Sequence, residues 1–113
     1  MSYKYFMLSL RRYQTEDGKV PVTAWLANLK NAKTRSVIED RLDRVKSGLL
    51  GTNDPCRDGV YELKIDFGPG FRVYYAKIGK TVLLLLCGGD KSSQNRDIEK
   101  AVKYLKDFER RVK

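Results

Sequence analysis

Two spacings of hydrophobic side chains follow one another along the chain, and they predict strands and helices in turn. An aromatic and aliphatic stretch at 3–12 is typical of a strand. One helix is then predicted to begin at Pro21, and a second to begin near Thr34 as its N-cap and to end at Gly48. Apolar residues three and four positions apart give each helix one stripe, which is Val22, Trp25, Leu26 and Leu29 in the first and Ile38, Leu42, Val45 and Leu49 in the second.

The second half of the chain has the pattern of a sheet followed by a helix. Segment 51–59, which contains Asn53-Asp54-Pro55, is predicted to be a loop. Alternating or continuous apolar residues between Gly-containing turns predict three strands, at 60–67, 71–78 and 81–87. The unbroken aliphatic run of the last one indicates a central strand buried on both faces. After Gly88-Gly89 a helix is predicted, with an apolar face formed by Ile98, Ala101, Val102, Leu105 and Phe108.

The order of these elements, β-α-α-β-β-β-α, predicts the fold class. Strands joined by tight turns and helices that precede or follow them favour an α+β protein. We therefore expect a small antiparallel, about four-stranded twisted sheet, with two N-terminal helices and one C-terminal helix packed against it. A chain of 113 residues has room for one hydrophobic core, so 1–113 is predicted to be a single domain.

The charge of the chain is strongly unbalanced. Lys and Arg number 23 and Asp and Glu 14, which gives a formal net charge of +9. Such a domain is attracted to polyanions, above all to nucleic acid. A solvated, lysine-rich surface remains the simpler alternative, and an acidic protein partner is compatible with both interpretations.

The residue types that are missing exclude several kinds of chemistry. The chain has no histidine, which excludes a Ser-His-Asp triad, a Cys-His pair and a histidine-ligated metal. Cys56 and Cys87 form no CxxC motif, and this argues against a zinc ribbon or a disulfide framework. We expect no cofactor and no metal. The aliphatic run 82–86 is too short to span a bilayer and the N-terminus has no signal-peptide pattern, so a cytoplasmic location without a membrane partner is expected.

The hairpin around Gly68-Pro69-Gly70 is the first candidate for a functional surface. A register that keeps apolar residues on one face pairs Ile65 with Val73, and it then places Lys64 opposite Tyr74. Cross-strand neighbours are about 5 Å apart at Cβ, a separation suited to gripping one phosphate. Cross-strand salt bridges on a solvated face are the structural alternative. The polar face of this hairpin carries Glu62, Lys64, Asp66, Arg72 and Tyr74.

Three sequence blocks give a resemblance to a known superfamily. The blocks are Val60–Ile65, Gly68–Tyr75 and Leu84–Gln94, and in this order and at these spacings they closely resemble the RelE/HigB toxins. The HigB-like branch of addiction module killer proteins is the most similar. Trp25-Leu26 and Arg41-Leu42 extend the resemblance to the helices of that branch.

The resemblance implies a RelE-like fold and a toxin of a type II toxin–antitoxin system. Such a toxin is an mRNA endoribonuclease, or mRNA interferase, that inhibits translation and in many cases acts on the ribosome. The ribose 2′-hydroxyl attacks the adjacent phosphate without a metal and leaves a 2′,3′-cyclic phosphate and a 5′-hydroxyl. The implied partners are a cognate helix-turn-helix antitoxin, mRNA on the ribosome, and operator DNA only through the antitoxin complex.

The same resemblance assigns candidate roles to individual residues. Arg72 matches the arginine that grips the phosphate, a task that suits a planar guanidinium. Lys64 is a candidate base or charge stabiliser, and as a base it would need a pKa lowered from about 10.4. Lys91 is the candidate contact to the phosphate or the leaving group, and Glu62 is the rival base. Asp90, Gln94, Tyr74, Arg57 and Arg96 are further candidates for nucleic-acid contacts, and for Tyr74 a position in the core of the strand is the alternative to stacking on a base.

Two departures from the superfamily pattern keep other functions open. The best-known RelE enzymes have an arginine and a tyrosine where this chain has Ser92 and Ile98. A non-enzymatic toxin on the same fold, which inhibits DNA gyrase in the way of ParE, is therefore the alternative. A basic nucleic-acid-binding module without toxicity is the third hypothesis.

Overall fold

The computed structural model describes residues 7–112 and has the α+β class that the sequence predicts. Its strands form one sheet of five strands in the order β1-β5-β4-β3-β2. A short 3₁₀ turn, Lys91–Ser93, joins the last strand to the last helix. The elements are β1 (Ser9–Arg12), α1 (Pro21–Asn28), α2 (Ala32–Lys46), β2 (Asn53–Arg57), β3 (Val60–Ile65), β4 (Phe71–Gly79), β5 (Val82–Asp90) and α3 (Gln94–Arg111).

The sheet differs from the prediction in strand number and in one pairing. It is mixed rather than antiparallel, because β1 runs parallel to β5 while the other neighbours are antiparallel. A parallel pair needs a long crossover, and the chain between β1 and β5 provides it. The extra strand, β2, lies in the segment predicted to be a loop. It is an edge strand with a register shift between Pro55 and Arg57, a position where proline is tolerated.

The boundaries of the N-terminal elements also needed correction. The described part of the first predicted strand is Ser9–Arg12, and the predicted residues 3–6 lie outside the described residues. α1 begins at Pro21, as predicted. The N-cap of α2 is Asn31 rather than Thr34, because the Asn31 side chain accepts a hydrogen bond from the Thr34 amide at 3.1 Å. Leu49 lies beyond the end of α2 and is 62% exposed, so it does not belong to the buried stripe.

Helices cover both faces of the sheet and produce two apolar layers. α1 and α2 pack on one face through residues such as Leu26 and Ile38, and α3 packs on the other through Ala101 and Leu105. The segment Leu83–Cys87 of β5 is buried throughout, which confirms the prediction of a strand covered on both sides. No helix in the described part of the chain is both long and apolar enough to cross a membrane.

Gly88 and Gly89 lie inside β5, whereas the sequence predicted that the strand ends before them. A Cβ atom on Gly88 would lie 2.5 Å from Cζ3 and 2.7 Å from Cδ2 of Trp25 in α1. A Cβ atom on Gly89 would meet the carboxylate of Asp97 in α3 and would lie 2.8 Å from Oγ of Ser93. The two glycines therefore permit a helix on each face to approach the strand closely.

The hydroxyl group of Tyr74 lies in the apolar layer between the sheet and α3. Tyr74 is fully buried, and among the described residues its hydroxyl has no hydrogen-bond partner. Because an unpaired buried hydroxyl costs about 1–3 kcal/mol, Tyr74→Phe is expected to raise the free energy of unfolding by about 1 kcal/mol in urea denaturation at pH 7. Tyr75→Phe is the control, since the Tyr75 hydroxyl donates to Asn53 Oδ1 at 3.2 Å and its loss should not stabilise the protein.

The same pair of variants predicts a pH dependence. Burial raises the pKa of Tyr74 above its ordinary value, so that the unfolded chain loses this proton first. The contribution of Tyr74 to the free energy of unfolding is constant below about pH 10 and decreases as the pH rises above that value. The decrease should be smaller in Tyr74→Phe. Equal destabilisation by Tyr74→Phe and Tyr75→Phe would contradict the account of an unpaired hydroxyl.

Candidate functional site

Three parts of the chain contribute cations to one open cleft at the end of the β3–β4 hairpin. Lys64 comes from β3, Arg72 from β4, and Lys91 from the 3₁₀ turn after β5. All three line a cleft of about 460 Å³. The amide of Lys91 donates to the carbonyl oxygen of Gly70 at 3.1 Å, which ties the 3₁₀ turn to the hairpin. The structure thus brings together the three cations to which the sequence analysis assigned the chemistry.

The hairpin has a different register from the predicted one. Lys64 pairs with Arg72 rather than with Tyr74, and Ile65 pairs with Phe71. The chain leaves the sheet directly after Ile65, since the Phe67 amide donates to the Ile65 carbonyl oxygen at 3.1 Å. The displacement preserves the face of each side chain and makes Lys64 and Arg72 direct cross-strand neighbours. Asp66 lies in the turn and not on the polar face of the strands.

A nearly buried carboxylate, Glu62, lies beside the cations. Its side chain is 9% exposed, and its Oε1 accepts a hydrogen bond from Gln94 Nε2 at 3.0 Å. Oε1 is also 3.3 Å from Nε of Arg72, an ion pair whose N–H is not aligned for a hydrogen bond. Oε2 lies 3.9 Å from Nζ of Lys64. Glu62 therefore orients the Arg72 guanidinium, while its Oε2 atom is less tightly held than Oε1.

Lys64 is held in its charged form. Its Nζ lies 2.8 Å from Oδ2 of Asp54, a residue of the edge strand β2. This contact with Asp54, and more weakly the charge of Glu62, raises the pKa of Lys64. A general base would need the opposite shift. The geometry therefore favours Lys64 as a charge stabiliser over Lys64 as a base.

The residues predicted to contact nucleic acid do not share one environment in the structure, and each has its own partners. Asp90 accepts hydrogen bonds from the amide and the hydroxyl of Ser92, at 2.9 and 2.6 Å, and these bonds lower the pKa of Asp90. It thereby shapes the turn that carries Lys91. Arg57 forms an ion pair with Asp58 at 3.1 Å.

Two of the remaining assigned residues line further clefts, and a third does not reach the surface. Gln94 lines a cleft shared with Arg57 and Glu62, and Arg96 lines another shared with Lys91. Tyr74 is fully buried in the α3 layer. The interpretation of Tyr74 as a nucleic-acid contact is therefore wrong, because no part of its ring is open to a base.

Sequence reasoning missed two residues that shape the cleft. Asp54 was placed in a loop, so its pairing opposite Glu62 in the β2–β3 ladder had no signal in the apolar pattern. Asp97 is buried near the start of α3, where its side chain accepts from the Ser93 hydroxyl. The contact of Asp97 fixes the helix end that presents Gln94. Among residues 7–112, no group of three or more His, Cys, Asp and Glu side chains lies close enough to hold a metal ion.

The chain is similar to a protein of known sequence. A protein of Haemophilus influenzae, described as uncharacterized, is 42% identical to it over 78 residues, which are 69% of this chain and 79% of that protein. The chain belongs to the family of this Haemophilus protein. No protein-family model matches the chain.

The ion pair between Lys64 and Asp54 is expected to weaken the binding of anions to the cleft. Asp54→Asn frees the ammonium group and should raise the affinity for a short non-cleavable oligonucleotide about two- to five-fold, since a partly exposed ion pair contributes at most about 1 kcal/mol. Fluorescence anisotropy measures the change.

Asp43→Asn is the matched control for this prediction. It removes the same charge from an exposed ion pair of α2, in which Asp43 lies 3.8 Å from Lys46. An equal gain in both variants would mean that only the net charge matters and that Lys64 is not part of the anion site.

Proposed function

We propose that the protein is the toxin of a type II toxin–antitoxin system, with a fold of the RelE kind, and that it cleaves mRNA as an endoribonuclease. The main support is the cleft in which Lys64, Arg72 and Lys91 lie together beside the nearly buried Glu62. The net charge of +9 supports a polyanionic substrate. The resemblance of the three sequence blocks to RelE/HigB toxins supports the reaction class.

The three cations of the cleft, together with Glu62, which lines the neighbouring cleft beside Gln94, can fill every role that cleavage by a 2′-hydroxyl requires. Glu62, through Oε2, accepts the proton of the 2′-hydroxyl as that oxygen forms a bond to phosphorus. Arg72 and Lys64 stabilise the additional negative charge on the phosphorane. The bond from phosphorus to the 5′-oxygen breaks, and Lys91 donates a proton to that oxygen. The products are a 2′,3′-cyclic phosphate and a 5′-hydroxyl.

The internal carboxylates are part of this proposal. Glu62 and Asp54 hold the Arg72 and Lys64 side chains in place before RNA arrives, which reduces the conformational entropy lost on binding. They also compete with the phosphate for the same cations. The substrate must therefore contribute binding energy elsewhere, as an mRNA held on the ribosome does.

The proposed partners follow from charge and from the resemblance. An antitoxin with an acidic segment would cover the cleft, and association of the two proteins would be fast and sensitive to salt. Contacts to operator DNA would come from the helix-turn-helix of the antitoxin. The proposed location of the pair is the cytoplasm.

Induced expression in bacteria tests the proposal against the alternatives. An RNA-cutting toxin stops incorporation of labelled amino acids within minutes, and mapped transcripts acquire new 5′-hydroxyl ends. A ParE-like inhibitor of gyrase is the second candidate, because Ser92 and Ile98 occupy two expected catalytic positions and the Ser92 hydroxyl is engaged by Asp90. It would induce DNA-damage signalling first. Normal growth would favour a non-toxic nucleic-acid-binding module.

A further inference from the structure

The cation cleft does not end at the hairpin. A second groove, of about 320 Å³, adjoins it and is lined on its far side by Arg41 and Arg44 of α2. The two share one wall, which consists of Thr52, Lys64, Ile65 and Asp66. The two grooves are therefore neighbours, with Lys91 on the far side of the first and α2 on the far side of the second.

Arg41 is a buried cation whose hydrogen bonds go to backbone carbonyl oxygens. It is 8% exposed, and its Nη2 lies 2.7 Å from the carbonyl oxygen of Leu50 and 3.4 Å from the carbonyl oxygens of Thr52 and Lys64. Among residues 7–112 it forms no ion pair. A buried charge is normally paired, and carbonyl dipoles compensate it only in part.

The neighbouring arginine increases the need for an anion. Arg44 lies three residues after Arg41, on the same side of α2, and is exposed. Within the described residues it too forms no ion pair. Burial and the charge of Arg44 both lower the pKa of Arg41. Because like charges lie together at this end of the groove, a bound anion would relieve their repulsion.

Gly51 allows Arg41 to occupy this place. A Cβ atom on Gly51 would lie 2.5 Å from Nη2 and 2.9 Å from Cζ of Arg41, and its backbone φ of +63° favours glycine. The chain thus passes directly over the guanidinium and fixes it at the wall of the groove.

We propose that Arg41 and Arg44 form a second anion site, which binds a neighbouring phosphate of the same RNA strand whose scissile phosphate lies at Arg72. The assignment of RNA as the ligand rests on the proposed function. Lys64 links the two sites, since its ammonium lines the first and its carbonyl oxygen contacts Arg41. Asp66 lines both grooves, and its negative charge there favours two separate phosphates over one continuous anion. Arg44 contacts the phosphate, and Arg41 positions it.

Binding of two 2′-O-methyluridine ligands, which cannot be cleaved, tests the second site. The dinucleotide has one phosphodiester and the tetranucleotide has three. Arg44→Ala is expected to weaken the tetranucleotide about three- to ten-fold and the dinucleotide less than about two-fold, because the shorter ligand cannot reach both sites. The salt dependence of tetranucleotide binding should decrease by about 0.7 in the log–log slope. Arg44→Lys should restore most of the affinity.

Two controls separate this inference from the proposed function. Arg110→Ala removes an exposed arginine that lies 16 residues after Gln94, about 24 Å further along α3, and should leave both affinities unchanged. Equal weakening of both ligands by Arg44→Ala, or no weakening, overturns the second site. If Arg72→Ala still weakens both ligands, the proposed function stands without it. If neither Arg44→Ala nor Arg72→Ala weakens either ligand, the proposed function falls as well.

Discussion

Arg72→Ala is expected to abolish growth arrest and to slow RNA cleavage by about 100- to 1,000-fold, the usual loss when one donor to a transition-state oxyanion is removed. Arg72 stands at the centre of the cleft, next to Lys64 in the ladder and 3.3 Å from Glu62. Its guanidinium can offer two parallel N–H groups to a phosphate, which no other side chain in the cleft can do. Mapped transcript ends and the rate of translation measure the effect.

The same substitution also removes a counter-charge from Glu62, so its effect on folding must be separated from its effect on chemistry. Glu62 would remain nearly buried with Gln94 and a more distant Lys64 as partners, and loss of one partner of a buried pair is destabilising. Arg72→Lys keeps a cation near Glu62 but loses the planar fork. It should fold with almost unchanged thermal stability and still lose most of the activity. A folded Arg72→Ala protein with full toxicity would exclude Arg72 from the site.

Gly88→Ala is expected to lower the free energy of unfolding by about 2–3 kcal/mol, the upper part of the range for overpacking a filled core. The added methyl group would press on the Trp25 ring, which is itself packed against Phe71 at a centroid distance of 6.4 Å. The ring cannot move away without disturbing the contact between α1 and β5. Thermal denaturation should show a decrease in Tm of roughly 10 °C.

Gly79→Ala is the matched control for this effect. Gly79 ends β4, and a Cβ atom there would meet only Val82, at the ordinary distance of 3.6 Å. Its Tm should change by no more than about 2 °C. Similar losses in Gly79→Ala and Gly88→Ala would show that strand propensity, and not the approach of α1, explains the glycine.

The apolar pattern predicted correctly the elements that have one buried face and one exposed face. α1 begins at Pro21 as expected, and the apolar face of α3 is buried at Ala101, Val102 and Leu105. β2 had no such signal, since none of its five residues is fully buried and one is a proline. The predicted end of the strand before Gly88-Gly89 was wrong for a different reason. Glycine often ends a strand, and here it serves the close approach of two helices, which only the tertiary structure reveals.

The sequence predicted which cations form the candidate site, but it did not predict how they are arranged. Lys64, Arg72 and Lys91 came from the sequence blocks and lie in one cleft. Their relation depends on a hairpin register that the turn decides, because a displacement by two positions keeps every side chain on its face. The anionic neighbours depend on longer connections. Asp54 reaches Lys64 only because an unpredicted strand lies beside β3.

Lys64, Arg72 and Lys91 are expected to hold one phosphodiester of RNA together. Titration of the ¹⁵N-labelled protein with the 2′-O-methyluridine dinucleotide, followed by NMR, tests it most directly. We expect chemical-shift changes confined to the amides at 62–66, 70–73 and 89–94 and to Nε of Arg72. Shifts centred on the basic groove at the other end of α3, where Arg11 and Arg111 lie, or no saturable shifts at all, would contradict it.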